Sequence, residues 1–327
     1  MPVDKDVLYS VVVPVYNSEK TIVKLVNGVI NILEIYGELF EIILVDDCSN
    51  DQSWKLIKNI AKDNQNIISI QLMRNFGQGS ATLAGLESSS GKFIITMDDD
   101  LQHPPEELPK LIESIHADED IDVVIGTPEE KIHHKVRNYG SSFVNKMNTL
   151  FLGKPEDLRF TGFRIIRKNV VDALLLFNIP YPALGPMIVN TTSRVKNIEF
   201  KHEKRVHGKS NYSLRKLLKQ FLSNFIGYSV LPLHMLAIIG AIGMVVSTFT
   251  GLYFLFQYIV VGISVPGWTT LLLILLILMG FTFLSFSIIG EYLLRVNQVS
   301  SKISRWNVRQ TVSNRNTTEA RNDSNNI

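Results

Sequence analysis

The sequence predicts an α/β domain with a Rossmann-like, mainly parallel sheet, followed by an amphipathic interfacial helix and a hairpin of two transmembrane helices. Three observations lead to this prediction. Short β-branched apolar runs alternate with stretches of helical periodicity over residues 9–125. Residues 220–290 contain no Asp, Glu, Lys or Arg, and the segments on both sides of them are basic. These patterns argue against a purely soluble globule and exclude a transporter with many spans.

The predicted strands are apolar without alternation, which is typical of a parallel sheet covered on both faces. They comprise residues 9–13, 41–45, 67–72, 92–97 and 122–125. Amphipathic helical stretches separate them, at residues 19–33, 51–61, 78–88 and 106–115. This strand–helix alternation indicates a sheet with helices on both faces.

The uncharged stretch is long enough for two membrane crossings. One crossing takes about 20 residues, and this stretch runs from residue 220 to residue 290. The segment 262–268 (GISVPGW) contains Gly and Pro and divides it into predicted spans at about 236–261 and 269–290. The alternative is a buried helical hairpin inside a large soluble core.

Charge predicts how these segments lie across the membrane. Residues 201–219 carry 7 Lys and Arg against 1 Asp and Glu, and residues 291–327 carry 6 against 3. Basic flanks mark the cytoplasmic side of a cell membrane, so both outer ends are expected there. The predicted segments are a cytoplasmic α/β domain (1–200), a basic interfacial segment (201–229), two transmembrane helices (230–294) and a basic, largely disordered cytoplasmic tail (295–327).

Polar motifs follow the first four predicted strands directly. In a sheet of this kind, ligands bind at the carboxyl ends of the strands. The four motifs are therefore expected to form one site, and they read VVVPVYN, VDDCSND, RNFGQGSA and TMDDDLQHPP.

The acidic triplet Asp98, Asp99 and Asp100 predicts a metal site. Three carboxylates on one turn repel each other unless a cation neutralises them, and oxygen ligands suit Mg²⁺ or Mn²⁺. Asp98 and Asp100 are expected to face one side and Asp99 the other. An EF-hand is excluded because its sixth and twelfth positions are His103 and Pro109. A solvated acidic turn is the alternative for an isolated motif of this kind.

Five motifs in order resemble those of family 2 glycosyltransferases of GT-A fold. They are residues 13–17, 45–49, 74–77, 98–105 and 207–212. Within that family, the chain is similar to the polyprenyl-phosphate glycosyltransferases, which include dolichyl-phosphate mannose synthases and bacterial undecaprenyl-phosphate sugar transferases. The resemblance extends from about residue 9 to residue 295.

The resemblance implies inverting transfer of a sugar from a nucleotide-sugar donor, expected to be a UDP-sugar, to polyprenyl (undecaprenyl) phosphate. The reaction would occur at the cytoplasmic membrane face and supply lipid-linked sugar for the cell envelope. The expected partners are the donor, the lipid phosphate and the bilayer, with no nucleic acid, and the transmembrane helices could form a homo-oligomer. A processive polysaccharide synthase and a non-catalytic membrane adaptor are the alternatives.

The resemblance also implies roles for individual residues. Each role is a prediction for the position in this chain that matches the family's motif. The implied catalytic residues are Asp98, Asp100, Arg205 and Asp157. Nucleotide binding is implied for Pro14, Tyr16, Glu19, Asp46, Asp47, Asp98 and Asp99. The implied phosphate-binding residues are Gln102, Arg137, Arg205, Lys209 and Ser210, and the implied metal ligands are Asp98, Asp100 and Gln102.

Three positions depart from the pattern of the family. Ser18 stands where a Glu commonly follows the Asn of the first motif, with Glu19 next. Asn211 stands where Lys is common, although Lys209 is two residues away. The Asp commonly found shortly before the Gly-Phe-Arg segment is absent, and only Asp157 is near.

Overall fold

A computed structural model describes residues 7–129, 158–177, 179, 182–200, scattered positions between 238 and 260, 267–300, and 305–314. The chain divides into two compact units, Met1–Ser213 together with Ser304–Ile327, and Leu214–Ile303. The α/β architecture predicted from the sequence is confirmed in the first of these units.

The first unit begins with a regular alternation of strands and helices. Its first nine long elements are, in chain order, β1 (Tyr9–Val15), α1 (Ile22–Tyr36), β2 (Phe40–Asp46), α2 (Ser53–Asp63), β3 (Ile67–Leu72), α3 (Gln78–Glu87), β4 (Phe93–Thr96), α4 (Leu108–His116) and β5 (Val123–Pro128). Each predicted strand and helix of this region is present, with boundaries shifted by a few residues.

Later elements complete the unit. They are β6 (Arg164–Arg167), α5 (Lys168–Leu175), α6 (Leu184–Thr191), β7 (Val195–Phe200) and β8 (Val308–Ser313). In the described part of the chain, eight strands form one sheet in the order β7-β5-β6-β4-β1-β2-β3-β8. The pairs β1–β2, β1–β4, β2–β3 and β5–β7 are parallel, whereas β6 and β8 run antiparallel to their neighbours. The sheet is therefore mixed, with a parallel centre.

The core confirms that the sheet is covered on both faces. Every residue of β1 and β2 is buried. Helix α1 buries Ile22, Leu25, Val26, Val29 and Leu33, the spacing of one helical face. The helix ends at Tyr36 and is capped by Gly37, whose left-handed φ of 64° suits a residue without a side chain.

Strand β8 corrects the prediction of a largely disordered tail over 295–327. Residues 308–313 pair antiparallel with β3, so for these residues the prediction is wrong. Their composition, rich in polar side chains, is also that of an exposed edge strand. The partner strand lies more than 230 positions earlier in the chain, a contact that local composition does not reveal.

The second unit contains the long helix α7 (Trp268–Ser300). The predicted span 269–290 falls within α7, and half of the positions in the predicted span 236–261 lie outside the described residues. Among the positions whose placement is described, no helix reaches the length and apolar character needed to cross a membrane.

Candidate functional site

The loops that follow the four central strands share an unusual backbone feature. One residue in each has a positive φ: Asn17 (55°), Cys48 (60°), Gly77 (90°) and Leu101 (60°). The left-handed conformation costs a residue with a side chain about 1–2 kcal/mol. Conformations of this kind cluster at functional sites. The carboxyl end of the sheet is therefore the candidate site, as the motifs predict.

The loop after β1 is held by its neighbours. The Tyr16 amide donates to Asp99 Oδ2 at 2.9 Å, and the Ser18 hydroxyl donates to the same oxygen. The Asn17 amide donates to Ser49 Oγ at 3.0 Å. This loop is therefore fixed by the loops after β4 and β2 together.

Three predicted nucleotide-binding residues lie in or beside that loop. Pro14 is buried in β1 opposite Val45 of β2. The Tyr16 side chain is 45% exposed at the rim of the site. Glu19 Oε2 accepts the Gln52 amide at 3.1 Å, which ties this loop to the start of α2. Of these three side chains, that of Tyr16 is therefore the exposed one.

Two buried carboxylates lie at the end of β2. Asp47 accepts the amides of Phe76 (2.7 Å) and Gly77 (2.8 Å), one on each oxygen. Asp46 accepts the Ser49 amide at 3.3 Å and Gln71 Nε2 at 3.5 Å. Burial raises the pKa of both groups, and these hydrogen bonds oppose the rise. Both acids are thus fixed in place by the loops around them.

Asp46→Asn is expected to raise the thermal unfolding midpoint at pH 7.5. Because burial raises the pKa of Asp46, the folded chain binds a proton there more readily than the unfolded chain. The ionised carboxylate therefore lowers stability above its raised pKa, and this loss is relieved as the pH falls. The gain from Asn should shrink toward pH 4. Unfolding curves at both pH values test this, and a gain independent of pH would contradict it.

The acidic triplet is divided between two directions. Asp98 Oδ1 accepts Gln78 Nε2 at 2.6 Å, and its Oδ2 lies 3.8 Å from His103 Nδ1. Asp99 faces the loop after β1 instead, and burial raises its pKa while bonds from Ser18 and Tyr16 oppose the rise. The two carboxylates therefore have different surroundings.

Asp100 and Gln102 are brought together by a tight turn. The backbone amide of Gln102 donates to Asp100 Oδ1 at 3.1 Å. Leu101 between them has the left-handed φ of 60° and is only 6% exposed. The buried Leu101 side chain anchors the turn, so the polar groups on each side are held at the surface of the site.

Gly162 leaves the space that Asp98 occupies. A Cβ at this position would lie 2.4 Å from Asp98 Oδ1 and 2.7 Å from Oδ2. The Gly162 carbonyl accepts the Thr96 hydroxyl at 2.7 Å. The connection before β6 is therefore fastened to β4 where the acidic triplet begins.

Arg164 places a buried cation near Asp98. Burial lowers the pKa of its guanidinium to about 10, and the charge of Asp98 opposes this shift. Within the described part of the chain, its buried Nε and Nη1 have no hydrogen-bond partner. A positive charge here offsets part of the repulsion among the carboxylates.

The oxygen ligands available at this edge of the sheet fit a hard divalent cation. Asp98, Asp100 and Gln102 offer oxygen atoms, which Mg²⁺ and Mn²⁺ prefer. Among the described residues, no three His, Cys, Asp or Glu side chains converge on one point as a complete metal cage. A cation here would take one or two carboxylates and complete its coordination with phosphate oxygens and water, as is usual for Mg²⁺.

The structure divides the predicted site residues into two groups. The residues at the sheet edge are described and lie around one site: Pro14, Tyr16, Glu19, Asp46, Asp47, Asp98, Asp99, Asp100 and Gln102. The others lie outside the described residues: Asp157, Arg137, Arg205, Lys209 and Ser210.

Sequence reasoning missed three residues of the site. Gln78 directly follows Gly77, whose φ is 90°, and the motif RNFGQGSA predicted no separate role for its side chain. Gly162 and Arg164 lie in the Gly-Phe-Arg segment, for which the only prediction concerned the absent Asp before it. The signal available for Gly162 was a glycine two residues before a strand, where the missing side chain allows another group to approach the backbone closely.

Comparison with known proteins identifies glycosyltransferases as relatives of this chain. The family model described as glycosyl transferase family 2 matches residues 10–175. The undecaprenyl-phosphate 4-deoxy-4-formamido-L-arabinose transferase of Proteus mirabilis (strain HI4320) is 32% identical over 291 residues, covering 88% of each chain. The protein of that name from Pectobacterium atrosepticum is 33% identical over 315 residues, covering 93% of each chain.

Solved structures share the fold. Glucosyl-3-phosphoglycerate synthase from Mycobacterium tuberculosis with phosphoglyceric acid aligns with a TM-score of 0.51 and 18% identity, over 68% of this chain and 80% of that one. The same synthase with Mn²⁺, uridine diphosphate and glucosyl-3-phosphoglycerate also gives 0.51 and 18%, over 67% and 78%. Such a likeness shows a shared GT-A-like architecture.

Proposed function

The chain belongs to glycosyl transferase family 2, and we propose from this premise that it transfers a sugar from a nucleotide-sugar donor to undecaprenyl phosphate. One observation supports undecaprenyl phosphate as the acceptor. The relatives named as undecaprenyl-phosphate transferases match 88–93% of the chain, so the similarity extends beyond the α/β domain.

The donor would bind at the carboxyl end of the sheet. We assign Asp47 to accept an N–H of the base and the exposed ring of Tyr16 to contact the base. Asp98, Asp100 and Gln102 would hold the divalent cation. The structural neighbour solved with Mn²⁺ and uridine diphosphate supports the use of such a cation. When bound, the cation stabilises negative charge on the departing diphosphate.

The proposed reaction does not require a general base to deprotonate the acceptor. A phosphate monoester has a second pKa near 6 and is mostly dianionic at pH 7. Its oxygen can attack the anomeric carbon as the nucleoside diphosphate leaves from the opposite face, with inversion. Asp157, outside the described residues, is therefore proposed to position the acceptor rather than remove a proton, and Arg205 to bind its charge.

The two alternatives are less well supported. A processive synthase binds its growing chain with a Gln-x-x-Arg-Trp segment, and the candidate here is Arg305-Trp306. Trp306 is 7% exposed and Arg305 Nη1 donates to the Phe177 carbonyl at 2.6 Å, so this pair packs inside the α/β unit. A non-catalytic adaptor would not be expected to retain the ordered triplet Asp98–Asp100.

A donor panel tests the function. Membranes that contain the full chain would receive undecaprenyl phosphate, Mn²⁺ and one of several UDP-, GDP- or dTDP-sugars. The proposal expects a labelled lipid with at least one UDP-sugar and none after chelation with EDTA. Label that appears only in soluble polymer would support a processive synthase instead.

The membrane hairpin is part of this proposal and is supported by the sequence alone. The uncharged residues 220–290, which have basic flanks, are expected to cross the bilayer twice.

Cysteine labelling tests this hairpin. Because Cys48 is the one cysteine, Cys48→Ser provides a cysteine-free background. Ser264→Cys should react with an impermeant maleimide in intact cells, and Asn314→Cys only after permeabilisation. The reverse pattern, or protection of both, would contradict the hairpin.

A further inference from the structure

The C-terminal strand β8 lies beside the proposed donor site. It pairs antiparallel with β3, with Ile70 opposite Thr311 and Gln71 opposite Gln310. The pairing shifts between Gln71 and Leu72, and beyond it the Met73 amide donates to the Asn307 carbonyl at 2.8 Å. The chain thus returns to the α/β unit after α7 and reaches the end of a strand that borders the site.

The segment before β8 is firmly attached. Trp306 is 7% exposed. The Arg305 guanidinium lies 4.7 Å from the centre of the Trp306 ring and donates to the Phe177 carbonyl at 2.6 Å. This attachment fixes where β8 begins relative to the sheet.

One set of contacts leads from β8 to Asp46 through side chains. Gln310 Nε2 donates to Gln71 Oε1 at 2.9 Å. The other end of the Gln71 amide, Nε2, donates to Asp46 Oδ2 at 3.5 Å. Gln310 therefore orients the amide that contacts the buried carboxylate.

A second set leads to Asp47 through the backbone. Arg309 Nη2 donates to the Met73 carbonyl at 3.3 Å, and Asn307 accepts the Met73 amide. Met73 begins the loop whose Phe76 and Gly77 amides bind Asp47. The backbone amide and carbonyl of Met73 are therefore both hydrogen-bonded to the C-terminal segment.

We propose that the C-terminal strand completes the donor site by positioning Asp46 and Asp47, with Gln310 and Arg309 as positioning residues. This inference rests on the proposed function. Covering the edge of β3 requires only the backbone pairing of β8. The side-chain contacts are not needed to protect this edge. Gln310 reaches Asp46 through Gln71, and Arg309 binds Met73, which begins the loop that holds Asp47.

Full-length variants test the proposal by their binding of UDP with Mn²⁺ in lipid nanodiscs. Gln310→Leu keeps the backbone pairing and removes the contact with Gln71. We expect UDP to bind about fivefold more weakly, the equivalent of one hydrogen bond of about 1 kcal/mol. The matched control is Thr311→Leu, whose side chain is exposed on the same strand, and its affinity should stay within about twofold of the unmodified chain.

Two further readouts separate positioning from general stability. The KM for the donor should rise with the dissociation constant, while kcat changes less than twofold. Gln71→Leu should weaken UDP binding as much as Gln310→Leu, and the double variant should be no weaker, because both remove the same contact to Asp46.

Equal UDP affinity in Gln310→Leu and Thr311→Leu would overturn the inference, as would a loss that only follows a lowered thermal midpoint in both variants. Failure of the proposed function looks different, because the unmodified chain would then not bind UDP with Mn²⁺. That result would overturn the donor assignment and this inference together, whereas unaltered binding by Gln310→Leu overturns only the role of the strand.

Discussion

Asp100→Ala is expected to abolish sugar transfer, with a loss of about 10³-fold or more, and Asp98→Ala to do the same. Removing a single group that stabilises developing charge costs about 10²–10³-fold, and Asp100 would also hold the cation. Folding should survive, since Asp100 lies on a turn outside the apolar core. Transfer from labelled donor and calorimetric Mn²⁺ binding measure the two effects separately.

A matched control is available for Asp100. Asp118 Oδ1 accepts the amide of Asp120 two residues later at 3.0 Å, the same local bond that Asp100 makes with Gln102 at 3.1 Å. Asp118→Ala removes that bond away from the site and should leave transfer unchanged. A tenth or more of the activity remaining in Asp100→Ala at saturating Mn²⁺ would contradict the assignment.

Asp99 provides an internal comparison. Its carboxylate binds the Tyr16 amide and the Ser18 hydroxyl, so Asp99→Ala should weaken donor binding and reduce transfer less than the changes at Asp98 and Asp100. Equal losses at all three positions would contradict the division of the triplet between two directions.

Gly162→Ala is expected to lower transfer by about 100-fold. The added Cβ would lie 2.4 Å from Asp98 Oδ1, and the Thr96 hydroxyl holds the Gly162 carbonyl at 2.7 Å. The carboxylate rather than the backbone must therefore move, and a misplacement of about 1 Å can cost 10²-fold in rate. The transfer rate per folded molecule and the Mn²⁺ affinity should fall together.

Gly85→Ala controls for crowding alone. Its Cβ would lie 2.3 Å from Val12 Cγ1 and 3.1 Å from Val45 Cγ2, in the apolar core. This variant should lose stability but keep its transfer rate per folded molecule. If Gly162→Ala lost only stability as well, Gly162 would matter for packing and not for Asp98.

The sequence was sufficient for the central sheet and for its ligand-binding edge. Continuous apolar runs identify buried parallel strands, and polar residues directly after them lie at one edge for geometric reasons. The opposite directions of Asp98 and Asp99 also agree with the alternation of an extended chain. These features depend on residues that are neighbours in sequence, and the periodicity of the sequence is therefore enough to predict them.

Features that depend on distant partners were not predictable in the same way. The polar strand β8 is stable only beside β3, and nothing local distinguishes it from a disordered tail. Gly162 is required because Asp98 comes close to it, a contact across more than 60 residues. Ser18 appeared as a departure from its family, yet its hydroxyl binds Asp99, so a short side chain connects these two loops.

The most direct test of the proposed reaction is the mass of its lipid product. The purified full chain in nanodiscs would receive a UDP-sugar, Mn²⁺ and either undecaprenyl phosphate or undecaprenol, which lacks the phosphate. We predict a lipid heavier than undecaprenyl phosphate by one sugar residue, formed with one equivalent of UDP, and no product from undecaprenol. Equal product from undecaprenol, or sugar found only in a water-soluble polymer, would contradict transfer to a lipid phosphate.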